Sequence, residues 1–379
     1  MTTSPTVQAL YVHVPYCHTI CGYCDFYSEV LDTRAAPRLV QALTAELRAQ
    51  RSRCRLEPRT IFVGGGTPTT LAPELLARLL AALAEPPLGA ELEFTVEANP
   101  ATVSPAVADA LASAGVNRVS IGAQSFDSAE LRVLERIHRP EQVVDTVRHA
   151  RAAGIDNVNL DLIFAVPGQS LDSWLRSLNA ALELEPDHLS CYGLTFEPGT
   201  PLHEQMKGGR VRPAAPELEA DMYEATVATL AAAGLRQYEI SNFARPGREC
   251  RHNLVYWRNE PYLGIGPSAS GFVGGVRYKN VPDAAEYVRC LDQGRSPRVQ
   301  QETLSPEQRA RESVMLELRL VEGIDRRRFA QRFGHDPAEL FADQVRRHAE
   351  LGLLEVGPAR LRLTRRGMLV ADSVITDFL

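Results

Sequence analysis

Cys17, Cys21 and Cys24 are the residues of this chain best placed to do chemistry. Three thiols fall within eight residues at CxxxCxxC spacing. Thiolates are soft metal ligands, and this spacing lets one loop turn several sulfurs toward a shared metal. Two metal chemistries fit. Structural zinc takes four ligands, and with no second CxxC nearby His13 or His18 would have to supply the fourth. An iron–sulfur cluster held by three cysteines is the alternative, and it leaves one iron open to an exchangeable ligand. The remaining cysteines, Cys54, Cys191, Cys250 and Cys290, are scattered and read as small buried hydrophobes. Seven is an odd number, and Met1 to Leu10 carries neither a basic stretch nor an apolar run fit for export. Both points argue against a disulfide framework and place the chain in a reducing compartment, the cytoplasm by default.

A second set of polar groups is spaced along the chain in a regular way. Gly64, Gly65, Gly66 and Thr67 follow one apolar run, Glu97 ends the next, Gln124 the next, and Asp161 lies on the one after; Arg136 comes twelve residues beyond Gln124. Glycines let a backbone approach a ligand closely. Acids and amides suit hydroxyl and ammonium groups, and an arginine suits a carboxylate.

These residues need a frame, and the apolar periodicity supplies one. Strand-like runs at Leu10–Val14, Thr60–Val63, Glu93–Glu97, Arg118–Gly122, Asn157–Phe164 and His188–Leu194 alternate with helical segments. The helices read as Arg38–Arg51, Pro73–Ala84, Ser104–Ala114, Ser128–Ile137, Gln142–Ala153 and Ser170–Leu184, with Gly115 and Gly154 as left-handed stops. Strand then helix, six times over, predicts parallel strands with helical crossovers. Periodicity alone allows an open sheet or a partial barrel. The polar residues at successive strand ends favour the barrel, whose active face lies there.

Beyond Pro198 the pattern changes: a helix over Pro216–Ala233, a strand over Gln237–Asn242, and a glycine- and aromatic-rich stretch from His252 to Tyr278. From Ser305 three helices and the strands Leu353–Val356 and Arg360–Thr364 suggest a winged-helix-like unit. The expected fold class is therefore α/β: a partial (β/α)6 barrel over 1–205, an extension over 206–304 and a small C-terminal α+β domain over 305–379. That last unit carries 13 basic against 12 acidic residues, and the whole chain a net charge of −6. Neither balance suits nucleic acid, so a structural or docking role is expected for the unit. No apolar stretch approaches the ~20 residues that span a bilayer; peripheral membrane contact stays open.

With these motifs in place, the chain resembles the radical S-adenosylmethionine (SAM) superfamily along nearly its whole length, and within it the branch of oxygen-independent coproporphyrinogen oxidases and their HemW-type relatives. The resemblance implies a 4Fe–4S cluster on Cys17, Cys21 and Cys24, with SAM on the open iron as the source of a 5′-deoxyadenosyl radical. It implies SAM contacts at Gly65, Gly66, Thr67, Glu97, Gln124, Arg136 and Asp161. Aromatic residues near cluster and adenosine fall at Tyr11 and Tyr23, and the loop Gly264–Ala269 falls near the SAM pocket.

Two features separate the chain from the oxidase itself. That enzyme has a fourth cysteine where Phe26 stands here, and a longer segment before the cluster. In addition His252, Asn253, Tyr256 and Trp257 match the HNxxYW signature of the heme chaperones. The resemblance then implies heme contact at His252, with Cys250 a weaker site of attachment, and imidazole is a good axial ligand. The expected activity is heme transfer to acceptor hemoproteins, with an electron donor such as a flavodoxin or ferredoxin feeding the cluster. The alternatives are a radical enzyme acting on a porphyrin, a radical methyltransferase, or an iron–sulfur or zinc protein without catalysis.

Overall fold

The computed structural model describes residues 5–85, 89 and 91–378; the first four residues of the segment Met1–Leu10 lie outside these. Six parallel strands form the frame: β1 (Thr6–Val14), β2 (Arg55–Gly65), β3 (Glu93–Ala98), β4 (Arg118–Gln124), β5 (Asn157–Phe164) and β6 (His188–Gly193), hydrogen-bonded in chain order. The helices between them are α1 (Ala36–Arg51), α2 (Pro73–Leu83), α3 (Pro105–Ser113), α4 (Ser128–Val133), α5 (Pro140–Ala152) and α6 (Leu171–Glu183). Their apolar spacing explains their packing: Leu39, Val40, Leu43 and Leu47 share one face of α1 and are buried in the main core. Ser104 and Ser170 cap α3 and α6 by accepting from Val107 N and Ser173 N. Gly115 and Gly154 follow α3 and α5 at positive φ, as their positions predict. This is the α/β partial barrel expected, with a small C-terminal α+β region.

Side chains alternate across each strand, so the two faces of the sheet differ. On β4, Val119, Ile121 and Ala123 join the apolar core under the helices, whereas Arg118, Ser120 and Gly122 face the interior cavity. The barrel interior is therefore polar, and the space it encloses is open to a ligand rather than filled by aliphatic side chains.

Residues 206–304 extend this same sheet. Leu263–Ile265 pairs parallel with β1, and Asn242–Ala244 pairs antiparallel with β6, so the segment adds a strand at each edge. Met222, Leu230, Phe243, Tyr278 and Tyr287 belong to the main core. The single strand expected over Gln237–Asn242 is instead two short strands, Arg236–Gln237 and Asn242–Ala244, paired antiparallel. The turn between them is held by Glu239, which accepts from Ser241 N and Asn242 Nδ2. The helix expected over Ser128–Ile137 ends at Val133, where the chain turns toward the cavity. The aromatic stretch after Cys250 holds a two-turn helix, Arg251–Trp257.

The C-terminal unit has its own core around Val314, Phe329, Phe341, Leu361 and Phe378. Ile324–Asp325, Arg360–Leu363 and Leu354–Val356 form its small antiparallel sheet. It docks beside the helix Arg251–Trp257: Arg332 donates to Asn259 O at 2.5 Å, and the Arg319 guanidinium lies 4.9 Å from the Trp257 ring.

Candidate functional site

A cavity of about 500 Å³ opens at the C-terminal ends of the parallel strands, the face where such folds gather functional groups. Cys17, Cys21 and Cys24 lie on its rim, half-buried and free. Their loop leaves β1 and is pinned at both ends. Tyr16–Cys17 pairs with Glu29–Val30, with Glu29 N donating to Pro15 O at 2.9 Å and Leu31 N to Cys17 O at 2.9 Å. Within it Cys24 N donates to Cys21 O at 3.1 Å, and Gly22 O accepts from Leu202 N at 2.8 Å. Cys17 Sγ lies 3.5 Å from Thr67 Oγ1, and Arg136 Nη1 donates to Cys21 Sγ at 3.6 Å.

The donor set distinguishes the two metal chemistries raised by the sequence. His13, a fourth zinc ligand on one reading, is buried, and both ring nitrogens are bonded: Nδ1 to Tyr11 Oη at 2.9 Å and Nε2 to Tyr27 O at 2.9 Å. Burial pushes its pKa down to about 4. His18 does line the cavity, but among the described residues no three His, Cys, Asp or Glu side chains converge as one ion would require. A cluster asks for something different, because each cysteine binds its own iron and the sulfurs stand apart. Three thiols around a cavity rim, with the Arg136 guanidinium donating to one of them, suit that demand. Burial raises the thiol pKa of Cys17, and that of Cys24 to about 11, so loading a metal would release protons.

The glycine run is forced by its neighbours. A Cβ on Gly64 would lie 2.4 Å from Glu97 Oε2, one on Gly65 2.3 Å from the His13 ring, and one on Gly66 2.6 Å from the Pro15 carbonyl carbon. Gly65 also has φ +102°, a conformation that L side chains rarely adopt. Gly65 N donates to Glu97 Oε2 at 2.9 Å, which holds that carboxyl against the cavity wall. Gln124 ends β4 at φ +64° beside a register shift, and its side chain passes over Gly122, where a Cβ would meet Nε2 at 2.8 Å. Arg136 Nη2 donates to Gly122 O at 2.5 Å. Asp161 accepts from Asn159 Nδ2 at 2.8 Å and Ser120 Oγ at 3.3 Å. Burial pushes Glu97 up to about 7 and raises Asp161 as well. Two acids destabilised in their charged form would gain from a cationic ligand beside them.

Tyr23, Gly65, Gly66, Thr67, Glu97, Gln124, Arg136 and Asp161 thus line one cavity with the three thiols. Tyr11 does not. It is paired in register with Phe62 and Gly264, and its hydroxyl serves His13. The loop Gly264–Ala269 is likewise absent from the cavity wall; Gly266 packs on His13 O and donates to Glu46 Oε2.

His252 is the largest departure from expectation. It is fully buried, and both nitrogens are bonded, Nδ1 to Thr60 Oγ1 and Nε2 to Tyr256 Oη, each at 2.8 Å. Its ring stacks on Phe62 at 5.3 Å. Glu93 caps the helix that carries it, accepting from Arg251 N at 2.8 Å and His252 N at 2.9 Å. In this conformation the imidazole has no free nitrogen for a ligand. The helix instead closes the floor of the barrel, where Cys250 and Asn253 line the cavity.

Sequence reasoning missed Arg118, Ser120, Asn159, Ser190 and Tyr192 on the cavity wall. Their signal was polar residues at alternate positions of otherwise apolar strands, Arg118 and Ser120, Asn159 and Asp161, Ser190 and Tyr192, which marks a wet interior face.

Comparison with known proteins agrees with this geometry. The profile described as the radical SAM superfamily matches residues 11–181, and that described as the HemN C-terminal domain matches 304–370. "Heme chaperone HemW" of Bacillus subtilis is 36% identical over 98% of this chain and 99% of its own. Bovine "Radical S-adenosyl methionine domain-containing protein 1, mitochondrial" is 36% identical over 98% and 87%. The solved structure of coproporphyrinogen III oxidase (HemN) from Escherichia coli, titled a radical SAM enzyme, superposes with TM-score 0.86 at 26% identity, covering 99% of this chain and 90% of that one. The chain belongs to the radical SAM superfamily, as a HemW-type member with the associated C-terminal domain.

Proposed function

We propose that this protein is a heme chaperone: it holds a 4Fe–4S cluster on Cys17, Cys21 and Cys24, binds SAM in the cavity beneath them, and passes heme to acceptor hemoproteins in the cytoplasm. The observation that carries this reading is the full-length similarity to relatives named heme chaperones, joined to a rim of three free thiols over a polar cavity. When bound, the reduced cluster would supply the electron that cleaves SAM, delivered to it by a flavodoxin- or ferredoxin-like donor. The chain's own residues would do the positioning. Glu97, fixed by Gly65 N, and Asp161, fixed by Asn159 and Ser120, face the cavity with acids that suit the ribose hydroxyls and the methionyl ammonium. Arg136 would hold charge near Cys21. Large apolar side chains at the mouth, Ile20, Phe26 and Ile137, are exposed and offer a flat ligand apolar contact. The HNxxYW helix would influence heme from the floor, since direct ligation by His252 requires its bonds to Thr60 and Tyr256 to open. No described helix is long and apolar enough to cross a membrane.

Anaerobic reconstitution followed by hemin titration and transfer to an apo-hemoprotein tests this. Brown protein with iron and sulfide in similar amounts, hemin binding, and transfer that fails in Cys21→Ser while binding persists are expected. Zinc without chromophore, or no hemin binding, would overturn it. A second reading, oxidative decarboxylation of coproporphyrinogen, draws on the close superposition with coproporphyrinogen III oxidase. A decarboxylated, vinyl-bearing product with release of carbon dioxide after incubation with SAM, reductant and coproporphyrinogen would favour it, but Phe26 stands where that enzyme has its fourth cysteine.

A further inference from the structure

Arg118 opens β4 and points into the barrel below Ser120 and Gly122. It lines the cavity yet is only 1% exposed, and its Nε and Nη1 are buried with no hydrogen-bond partner. A buried guanidinium left unpaired is strongly unfavourable. The three nearby carboxyls that could answer it make no hydrogen bond to it: Glu97 accepts from Gly65 N instead. Glu93 accepts from the backbone of Arg251 and His252, and Asp161 accepts from Asn159 and Ser120. The remaining wall at this depth is neutral and hydrogen-bonding: Ser120, Asn159 and Ser190.

We propose that Arg118 is a carboxylate-binding group at the floor of the cavity, taking the acid end of a ligand that enters past the thiols. A planar guanidinium matches a carboxylate fork. Asp161 and Glu97 on the wall of the same cavity disfavour a phosphate dianion, so the anion is a monoanion. Depth narrows the source. Arg118 lies six residues below Gln124 at the strand end, about 20 Å along the strand. An extended ligand is needed to reach it, and a heme propionate suits this better than a methionyl carboxylate held beside the cluster. The heme arm rests on the chaperone function proposed above; the SAM arm rests only on the SAM binding proposed with it.

The test is titration of wild type, Arg118→Gln and Arg118→Lys with hemin, with heme dimethyl ester, and separately with SAM. The expected result is a loss of at least tenfold in hemin affinity in Arg118→Gln, partial recovery in Arg118→Lys, and unchanged binding of the ester. Weakened SAM with unchanged hemin would assign the same subsite to the methionyl carboxylate. Wild-type affinity of Arg118→Gln for all three ligands would overturn the proposal. Should Arg118→Gln not fold, wild type decides: equal affinity for hemin and its ester, together with equal affinity for SAM and decarboxylated SAM, overturns it. Wild type that binds no hemin refutes the chaperone reading and leaves the SAM arm to decide this one.

Discussion

The two motifs that the sequence marks most clearly, the cysteine loop and the HNxxYW helix, end in opposite environments. The cysteines sit half-buried on a rim, with none of their thiols in a disulfide. His252 and Tyr256 are sealed against Phe62, Thr60 and Tyr262, with polar atoms paired inside the fold. The difference follows from where the chain puts each motif. A loop at the C-terminal end of a parallel strand faces open space, because the strand's hydrogen bonds have ended and no helix covers it. A helix capped by an interior acid such as Glu93 is drawn under the barrel, and its side chains become floor. A recognisable motif is thus a chemical handle in one place and packing in another.

The contrast can be tested by substitution, beginning with the largest effect. Cys21→Ser should reduce iron after anaerobic reconstitution to background while the melting temperature of the apoprotein stays close to wild type. A large fall in apoprotein stability would mean that the rim thiols are packing groups after all. His252→Ala should do the reverse: it leaves Thr60 and Tyr256 without partners and a void beside Phe62, at a cost of about 3 kcal/mol by denaturant titration. A change in heme affinity with no loss of stability would instead restore His252 as an exposed ligand. Gly66→Ala tests how tightly the glycine run is held, since the new Cβ meets Pro15 backbone. Overpacking of this kind should cost about 2 kcal/mol and weaken SAM binding.

The smallest effect is on pH dependence. Burial raises the folded pKa of Glu97 to about 7, above its ordinary value of 4.5. The folded state therefore holds an extra proton between these values, and stability falls as pH rises through that window. Glu97→Gln should flatten this decline, measured as melting temperature between pH 4.5 and 8. An unchanged pH profile would place Glu97 in a more hydrated wall than the structure indicates.

Much of the frame was legible before folding. Asn157–Phe164 was read with its observed bounds, and all six parallel strands follow from apolar runs separated by helix-length segments, while their order follows from the polar residues at successive strand ends. Local signals sufficed because each βα unit is built from neighbours in sequence. One edge strand was not legible: Leu263–Ile265 is three residues long and too short to show alternation, and it pairs with β1 far away in the chain, whereas the other edge was read as one strand, Gln237–Asn242, where two stand. The helix Arg251–Trp257 was hidden among aromatic residues that suit a loop or a strand as well.

The sequence by itself determined the chemistry available: three thiols at one loop's spacing, and acids, an amide and glycines at successive strand ends. Those are properties of covalent order, and they survive any packing. Only the tertiary structure decided which groups share a volume. It brought Arg118, Asn159 and Ser190 to the wall beside Asp161, and turned Tyr11 and His252 away from it. The physical reason is that burial and pairing depend on what arrives from distant segments. Whether a polar side chain meets a partner or an open cavity is fixed by the sheet's register and by the helix beneath it, neither of which is written in the residue's own neighbourhood.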